Sequence, residues 1–215
     1  MIRGLAGHAM FAAAAFAALV AFEGAGSAQT NIIDDWGKVT PPPAPALKPA
    51  SLDAKTTALM VMDFVKLTCN DKARPSCVAS IPKVKSLIDA AMAKGVTVIW
   101  TSINGAKLED YVADVAPRGG NPMIGSADKF IGTELEKTLK DKGITTIVAT
   151  GTSSYGAVLF TASGAVMRGF KVVVAVDGMS SSQPFGDQAA AWIIANLPGG
   201  ADRVTLTRSD MIAYK

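Results

Sequence analysis

Histidine is almost missing from this chain of 215 residues, which contains only His8. That histidine lies in a segment where Arg3 precedes an apolar run (residues 10–22) and small residues follow up to Ala28. Because the run is shorter than the ~20 apolar residues that a membrane-spanning helix needs, the pattern predicts a secretory signal peptide over residues 1–28 rather than a membrane anchor. We therefore expect a periplasmic or secreted protein, without a stable membrane anchor after cleavage near Ala28.

Cleavage would leave a mature chain without histidine, and this absence excludes several kinds of active site. Ser-His-Asp and Cys-His catalysis need an imidazole, and so do histidine-ligated zinc sites. The two cysteines, Cys69 and Cys77, lie in one polar stretch, TCNDKARPSC. In an oxidising compartment this favours a disulfide that closes a short loop over a free reactive thiol. We expect no metal site and no cofactor.

A strong charge of either sign is lacking too. The formal net charge is +3 and no run of basic residues occurs, so we expect no nucleic-acid partner. Residues 29–55 are rich in proline and sustain no hydrophobic period, which predicts an extended N-terminal arm. The arm could pack over a neighbouring subunit, or it could lie along the surface of its own subunit or be partly disordered. Residues 56–215 are sufficient for one domain.

This domain contains many short apolar runs, and they alternate with segments of helical periodicity. The predicted strands cover residues 57–64, 96–102, 144–150, 170–176 and 204–207, and the predicted helices cover 79–94, 133–142, 155–168 and 187–197. Thr133 and Glu136 have the spacing of a capping box at the start of the second helix. Strands that alternate with helices predict an α/β fold, in which a parallel sheet is covered on both faces.

The segment ITTIVATGTSSYGAVLFTA (residues 144–162) predicts a strand, a sharp turn at Gly151 and a helix. In open α/β sheets ligands bind beyond the carboxyl ends of the strands, where loops and helix N-termini offer N–H groups to an anion. The predicted site therefore includes residues 151–157. Its turn has neither the G-x-G-x-x-G spacing of a dinucleotide site nor the G-x-S-x-G spacing of a nucleophile elbow.

Asp63 ends the first predicted strand and is the first candidate for a catalytic group. At the end of a strand its carboxylate would be exposed at the rim of the sheet, whereas an acid within the strand would be buried at high cost. Two interpretations remain open from its position alone. Asp63 is either a catalytic acid or base, or a carboxylate that binds loop N–H groups.

Several patterns, taken together, resemble a known family. They are TALMVMDF, the F-x-G-T-x-L of KFIGTELEKTLKDKG, a G-x-x-x-x-x-x-V-x-x-T-A beginning at Gly151, and GFKVVVAVDGMSS. Over residues 57–182 the chain resembles the isochorismatase-like cysteine hydrolases. The resemblance implies a three-layer α/β/α sandwich with a six-stranded parallel sheet, a site at the carboxyl edge of that sheet, and assembly into homo-oligomers.

In amidases of that family an aspartate, a lysine and a cysteine cooperate. The thiolate attacks, the aspartate shuttles protons, the lysine favours the charged forms, and two backbone N–H groups hold the oxyanion. By this resemblance Asp63 is the aspartate, but Ala157 stands at the position of the nucleophile, so the thioester route is absent. Neither Cys69 nor Cys77 can substitute, because both belong to the loop after the first strand.

The family lysine is poorly matched. It usually precedes the phenylalanine of F-x-G-T by about five or six residues, where this chain has Gly125 and Ile124. Lys129 is the nearby amine, but as the neighbour of Phe130 on an extended chain its side chain would point the other way. Lys129 reaches the site only if the segment before Phe130 takes another course.

Family members that hydrolyse isochorismate also lack the cysteine and have a glycine in its place. In them the aspartate protonates an enol ether before water adds. On this precedent Asp63 is expected to be a general acid or base, best suited if apolar surroundings raise its pKa. The N–H groups of Gly156 and Ala157 would hold a substrate anion.

The remaining predicted contacts come from the turn itself. Ser153, Ser154 and Tyr155 would give hydrogen bonds to the substrate. Neither serine has a base that could activate it, so turn formation and N-capping are the preferred roles of both. Tyr155 is expected to be a wall of the pocket.

Two functions are compatible with the sequence. The first is an exported hydrolase of a small carbonyl, amide or enol-ether compound, which uses Asp63 as general acid or base without a cysteine nucleophile. The second is a non-catalytic family member that binds a small acidic ligand or serves in assembly. In both, the partner is a small molecule, and a homo-oligomer is expected.

Overall fold

The structure, a computed structural model, describes residues 31–103 and 105–215. The predicted signal peptide, its cleavage at Ala28 and the first two residues of the predicted arm lie outside these ranges. The chain divides into two units, residues 1–42 and 43–215. In the first unit, Asn31 caps the short helix α1 (Ile32–Asp35), because its Oδ1 accepts hydrogen bonds from the N–H groups of Ile33 and Asp34. A 3₁₀ turn (Trp36–Lys38) follows.

The second unit is built on a parallel sheet of six strands, which confirms the predicted α/β fold. Its strands are β2 (Thr57–Met62), β3 (Thr97–Ser102), β4 (Met123–Ile124), β5 (Thr146–Thr152), β6 (Lys171–Ser180) and β7 (Val204–Thr207). Their spatial order is β4-β3-β2-β5-β6-β7, and every pairing is parallel. From β2 the chain first builds one half of the sheet and then returns to build the other. The strand order therefore reverses between β2 and β5, where ligands bind in such sheets.

Helices cover both faces of the sheet and complete the three-layer sandwich. Helix α2 (Pro75–Ala93) packs on one face, where Leu59, Val61 and Val148 are buried beneath it. Helices α3 (Leu135–Asp141), α4 (Leu159–Met167) and α5 (Pro184–Ala195) pack on the other face. The strand residues alternate between these two cores, as the period of two residues in a β-strand requires.

Three short strands were not predicted from the sequence. Strand β4 has two residues, and β1 (Ala50–Leu52) pairs in parallel with β8 (Ile212–Tyr214) to form a small second sheet. Strand β1 belongs to the segment that we predicted as an arm. Segments of two or three residues are too short to show a hydrophobic period, so the sequence gives no signal for them. Within the described ranges, no helix has the length and hydrophobicity required to span a membrane.

The capping box predicted at Thr133 and Glu136 is wrong. Helix α3 begins at Leu135, and Thr133 Oγ1 accepts a hydrogen bond from the N–H of Leu135 at 3.2 Å while it donates to the carbonyl of Lys129. Glu136 instead binds Lys140 and Arg168 on the helix surface. Thr133 therefore ties the start of α3 to the turn that carries Lys129.

Candidate active site

Asp63 follows β2 directly and lies at the centre of the carboxyl edge of the sheet. Its backbone has a φ of 60°, a left-handed conformation that aspartate and asparagine tolerate better than most residues. The residue is only 4% exposed, so the expected exposure at the rim is wrong. Thr101 on β3 donates its hydroxyl to Oδ1 at 2.9 Å, and Lys129 donates its amine to Oδ2 at 2.7 Å. These two contacts make the burial of the carboxylate tolerable.

Lys129 points into the site, contrary to the expectation that it would turn away. Its side chain is 0% exposed and forms the ion pair with Asp63. The chain is not extended here: the N–H of Phe130 binds Asp128 Oδ1 and the N–H of Ile131 binds the Asp128 carbonyl, so these residues form a turn. In a turn, neighbouring side chains need not point in opposite directions. Lys129 and Phe130 are both buried as a result.

The backbone of Lys129 is fixed from a second direction. Its N–H donates to Thr161 Oγ1 on α4 at 3.1 Å. Thr161 and Ala162 are the T-A of the pattern that begins at Gly151, so that pattern includes a residue that positions the amine.

Burial is the main influence on the acidity of Asp63. It raises the pKa of the Asp63 carboxyl above its ordinary value, while the charge and hydrogen bond of Lys129 and the hydroxyl of Thr101 oppose the rise. A raised pKa brings the carboxyl closer to the pH at which it can both take up and release a proton. The pair is therefore suited to general acid or base catalysis.

Tyr111 stabilises the carboxyl end of β3, next to Asp63. Its hydroxyl donates to the carbonyl of Thr101 at 2.6 Å, and the same carbonyl accepts the N–H of Asp63 at 3.2 Å. Burial raises the pKa of Tyr111 to about 12, so the phenol keeps its proton and remains a donor at neutral pH. The carbonyl of Thr101 thus holds Asp63 and Tyr111 together.

Gly151 allows β5 to approach the end of β2. Its φ is +152°, and a Cβ at this position would lie 2.7 Å from both the Cβ and the carbonyl oxygen of Met62. Backbone atoms cannot yield at that distance, so only glycine fits. Since Met62 precedes Asp63, this contact brings the two halves of the site together.

The chain after β5 forms one turn of π-helix (Ser154–Val158) before α4 begins. Ala157 lies in this turn and is buried, and it lines the same cavity as Asp63. Cys69 and Cys77 form a disulfide with a Cα–Cα distance of 5.3 Å, which confirms the predicted pairing and leaves no free cysteine. No thiol is therefore available to act as nucleophile.

The other predicted contacts of the turn are only partly brought into the site. Ser153 lines the cavity but makes no capping hydrogen bond, and Ser154 is buried with its hydroxyl bound to Asp187 at 2.6 Å. The predicted N-capping by both serines is wrong, because the turn is closed by the π-helix and by the contact with α5. Ser154 cannot contact a substrate from this position.

Tyr155 and Gly156 also differ from expectation. Tyr155 is 45% exposed and its ring lies against Gly186, so it does not line the cavity as a wall. Gly156 lines the cavity, but its N–H donates to the carbonyl of Ser153 at 3.1 Å. That N–H is therefore engaged within the turn, and the predicted anion contact at Gly156 is not available.

A cavity of about 360 Å³ opens beside Asp63, at the reversal of the strand order. Its lining residues are Asp63, Thr68, Arg74, Ile103, Gly125, Ser126, Ala127, Thr152, Ser153, Gly156 and Ala157. The sequence did not point to Thr68 or Arg74 as site residues, whereas Thr152 lies within the predicted range 151–157. Arg74 lies in the loop closed by the disulfide and Thr68 directly precedes that loop. A polar segment directly after the strand of Asp63 was the signal that could have identified both.

Asp177 has a structural role. It accepts hydrogen bonds from the N–H and hydroxyl of Ser209, and Lys83 lies 3.6 Å from it. Among the described residues, no three histidine, cysteine, aspartate or glutamate side chains are grouped as metal ligands.

The fold is that of the isochorismatase-like hydrolase family. The family model of the isochorismatase domain matches residues 57–206. The chain therefore belongs to the isochorismatase family. A search of curated proteins finds no match.

Solved structures of this class share the fold. N-carbamoylsarcosine amidase from Thermoplasma acidophilum is 20% identical, with a TM-score of 0.63 over 72% of this chain and 97% of that one. A nicotinamidase from Bacillus subtilis is 20% identical, with a TM-score of 0.63 over 71% and 99%. An isochorismatase from Pseudomonas putida KT2440 is 15% identical, with a TM-score of 0.65 over 85% and 98%.

Proposed function

We propose that this protein is an exported hydrolase of a small carbonyl, amide or enol-ether compound, in which Asp63 transfers protons without a covalent intermediate. The observation that carries the proposal is the pair of Asp63 and Lys129, 2.7 Å apart, beside a cavity lined by Ala157, the residue that the family resemblance places at the nucleophile position. A methyl group cannot attack a carbonyl, so water must be the nucleophile. The carboxyl of Asp63 is then the group that can give or take the proton.

Two reactions suit this arrangement. With an enol ether, protonated Asp63 gives its proton to the terminal carbon, water adds to the resulting cation, and the carboxylate takes the proton lost by that water. The hemiketal then collapses to a carbonyl and an alcohol. With an amide, the Asp63 carboxylate takes a proton from water as it attacks and returns it to the leaving nitrogen. Lys129 stabilises the carboxylate in each cycle.

Turnover by a variant of Asp63 tests the proposal. Asparagine tolerates a positive φ, has nearly the same shape and keeps an oxygen that can accept the Lys129 amine, so Asp63→Asn should keep the fold at a reduced stability, which its melting temperature measures. The mature protein is screened with small enol ethers, esters and amides, and the variant should lose hydrolysis of any substrate found. Asp114→Asn, an exposed acid outside the cavity, is the matched control and should retain the activity. Hydrolysis at the wild-type rate by Asp63→Asn would refute the role.

Export is a separate part of the proposal. The disulfide of Cys69 and Cys77 supports it, since such bonds persist in oxidising compartments. The mass of the protein recovered from the periplasm or the medium tests it. A mature chain that begins at Gln29 is expected, and a full-length chain in the cytoplasm would contradict export.

Ligand binding without turnover is the second candidate. Ala157 at the position of the nucleophile favours it. Its other support was the expected loss of the lysine, yet a buried amine lies beside Asp63. Any hydrolysis that Asp63→Asn abolishes would exclude this candidate.

A further inference from the structure

Positively charged side chains outnumber negatively charged ones around the cavity. Two charged side chains line it, Asp63 and Arg74, and Lys129 pairs with Asp63 from behind. Within residues 31–103 and 105–215, no carboxylate lies at ion-pairing distance from Arg74. Every other lining residue is neutral. Two positive charges and one negative charge leave the site with one unbalanced positive charge.

Most hydrogen-bond donors of the Arg74 guanidinium are not used within the described part of the chain. Its Nη1 donates to Thr152 Oγ1 at 2.7 Å, and Thr152 ends β5 next to the turn of Ala157. Arginine has five N–H donors, and no other hydrogen bond joins this guanidinium to the described part of the chain. Thr152 thus orients the Arg74 side chain, and the remaining N–H groups of the guanidinium are free to bind a ligand. Guanidinium groups bind carboxylates through two parallel hydrogen bonds.

The loop that carries Arg74 is held in place independently of any ligand. The disulfide of Cys69 and Cys77 closes it, and the N–H of Arg74 donates to the carbonyl of Asn70 at 2.8 Å. Asn70 also accepts the N–H groups of Lys72 and Ala73 on its side-chain oxygen. A residue fixed before binding loses little conformational entropy when a ligand arrives.

Of the two N–H groups expected to bind an anion, that of Gly156 is engaged with the carbonyl of Ser153. We propose that Arg74 binds a carboxylate of the substrate, so that the cavity selects small compounds with one negative charge. The substrate class is then a carboxylate-bearing amide, ester or enol ether, whose reacting group faces Asp63. This inference rests on the proposed function, since it names the substrate class of the same cavity.

The test is a binding experiment that requires no turnover. Acetate, propionate and benzoate are titrated into the mature, oxidised protein by NMR, each beside its neutral amide (acetamide, propionamide, benzamide). We expect the wild type to bind the acids more tightly by about tenfold or more, the value of one charge-assisted hydrogen bond, with shifts at cavity residues. Arg74→Gln should abolish this preference, and Arg74→Lys should keep part of it.

Lys72→Gln is the matched control, because Lys72 is exposed on the same loop and does not line the cavity. It should leave the preference unchanged. The inference is overturned if acids and amides bind equally to the wild type, if no acid binds saturably, or if Arg74→Gln keeps the preference. Asp63→Asn should still prefer acids to amides, because Arg74 is unchanged. Selective binding of acids can therefore be found in a protein that hydrolyses nothing, and a hydrolase can lack this selectivity. The two proposals are thereby separated.

Discussion

The amine of Lys129 and the carboxylate of Asp63 are separated by 66 residues in the chain and by 2.7 Å in the structure. Both side chains are almost wholly removed from solvent, and their contact joins the end of the central strand β2 to the turn before α3. A buried charge pair of this kind contributes little net stability, because the loss of hydration offsets the attraction. It does fix the acidity and position of the carboxyl, which the proposed reaction requires.

Removal of the amine should destabilise the protein at neutral pH. Lys129→Met leaves the Asp63 carboxylate buried without its cation, a change that costs about 3–5 kcal/mol. The pKa of Asp63 should rise further, since burial is then less opposed. A group with a raised folded-state pKa costs stability above that pKa, and the cost disappears as the pH falls through it. Urea unfolding at several pH values therefore should find a smaller deficit at low pH.

The double variant Asp63→Asn with Lys129→Met is the control for this prediction. It removes both charges, so it should recover much of the stability lost in Lys129→Met. Equal deficits in the single and double variants, independent of pH, would contradict a buried charge pair.

A thiol placed at Ala157 should be reactive. Ala157 lines the cavity next to Asp63, so the side chain of Ala157→Cys would be accessible to a small alkylating reagent. Ala162→Cys, buried in α4 outside the cavity, is the matched control and should react slowly. Alkylation by iodoacetamide, followed by mass spectrometry, measures both rates. Equal rates would mean that residue 157 does not face the site.

Loss of the disulfide should affect stability and ligand selection together. Replacement of Cys69 and Cys77 by alanine should cost about 2–3 kcal/mol, as expected for a short closed loop. Because the loop also carries Arg74, the preference for acids over amides should weaken. Thermal unfolding and the same titrations measure these effects. A stability loss with an unchanged preference would show that the loop holds Arg74 without the disulfide.

Gly151→Ala should distort the site from the sheet side. An added Cβ would overlap the backbone of Met62, so β5 and β2 must separate at their carboxyl ends. We expect a loss of about 1–3 kcal/mol and a displaced Asp63. Gly95 also has a positive φ, but no atom lies within 4 Å of a Cβ added there. Gly95→Ala therefore controls for backbone strain without a steric clash. A similar loss in both variants would contradict a steric role for Gly151.

The sequence predicted the sheet and Asp63 well because both depend on local pattern. Residues 58–62 are apolar throughout, and Asp63 is the first charged residue after them. The family lysine could not be located with the same certainty, because the direction of Lys129 depends on a turn set by Asp128. A period of two residues holds only while the chain is extended.

Arg74 and the π-helical turn show another limit of the sequence. Arg74 reaches Thr152 across 78 residues, and no local pattern encodes that contact. The turn of residues 154–158 replaced the expected helix start because Ser154 binds Asp187 on α5 rather than a backbone N–H. Both features depend on contacts between residues far apart in the chain, which a local sequence pattern does not encode.

The role of Asp63 in proton transfer is tested by the pH dependence of kcat/KM for the wild type and for Asp63→Asn, with a substrate found by the screen. The profile of the wild type should show a single ionisation, with a pKa above the ordinary value of 3.8 for an aspartate. Activity should fall above this pKa if Asp63 is the acid, and below it if Asp63 is the base. In Asp63→Asn the rate should fall by about 10²–10⁴ and lose that ionisation. An unchanged rate and an unchanged pH profile in the variant would contradict the account.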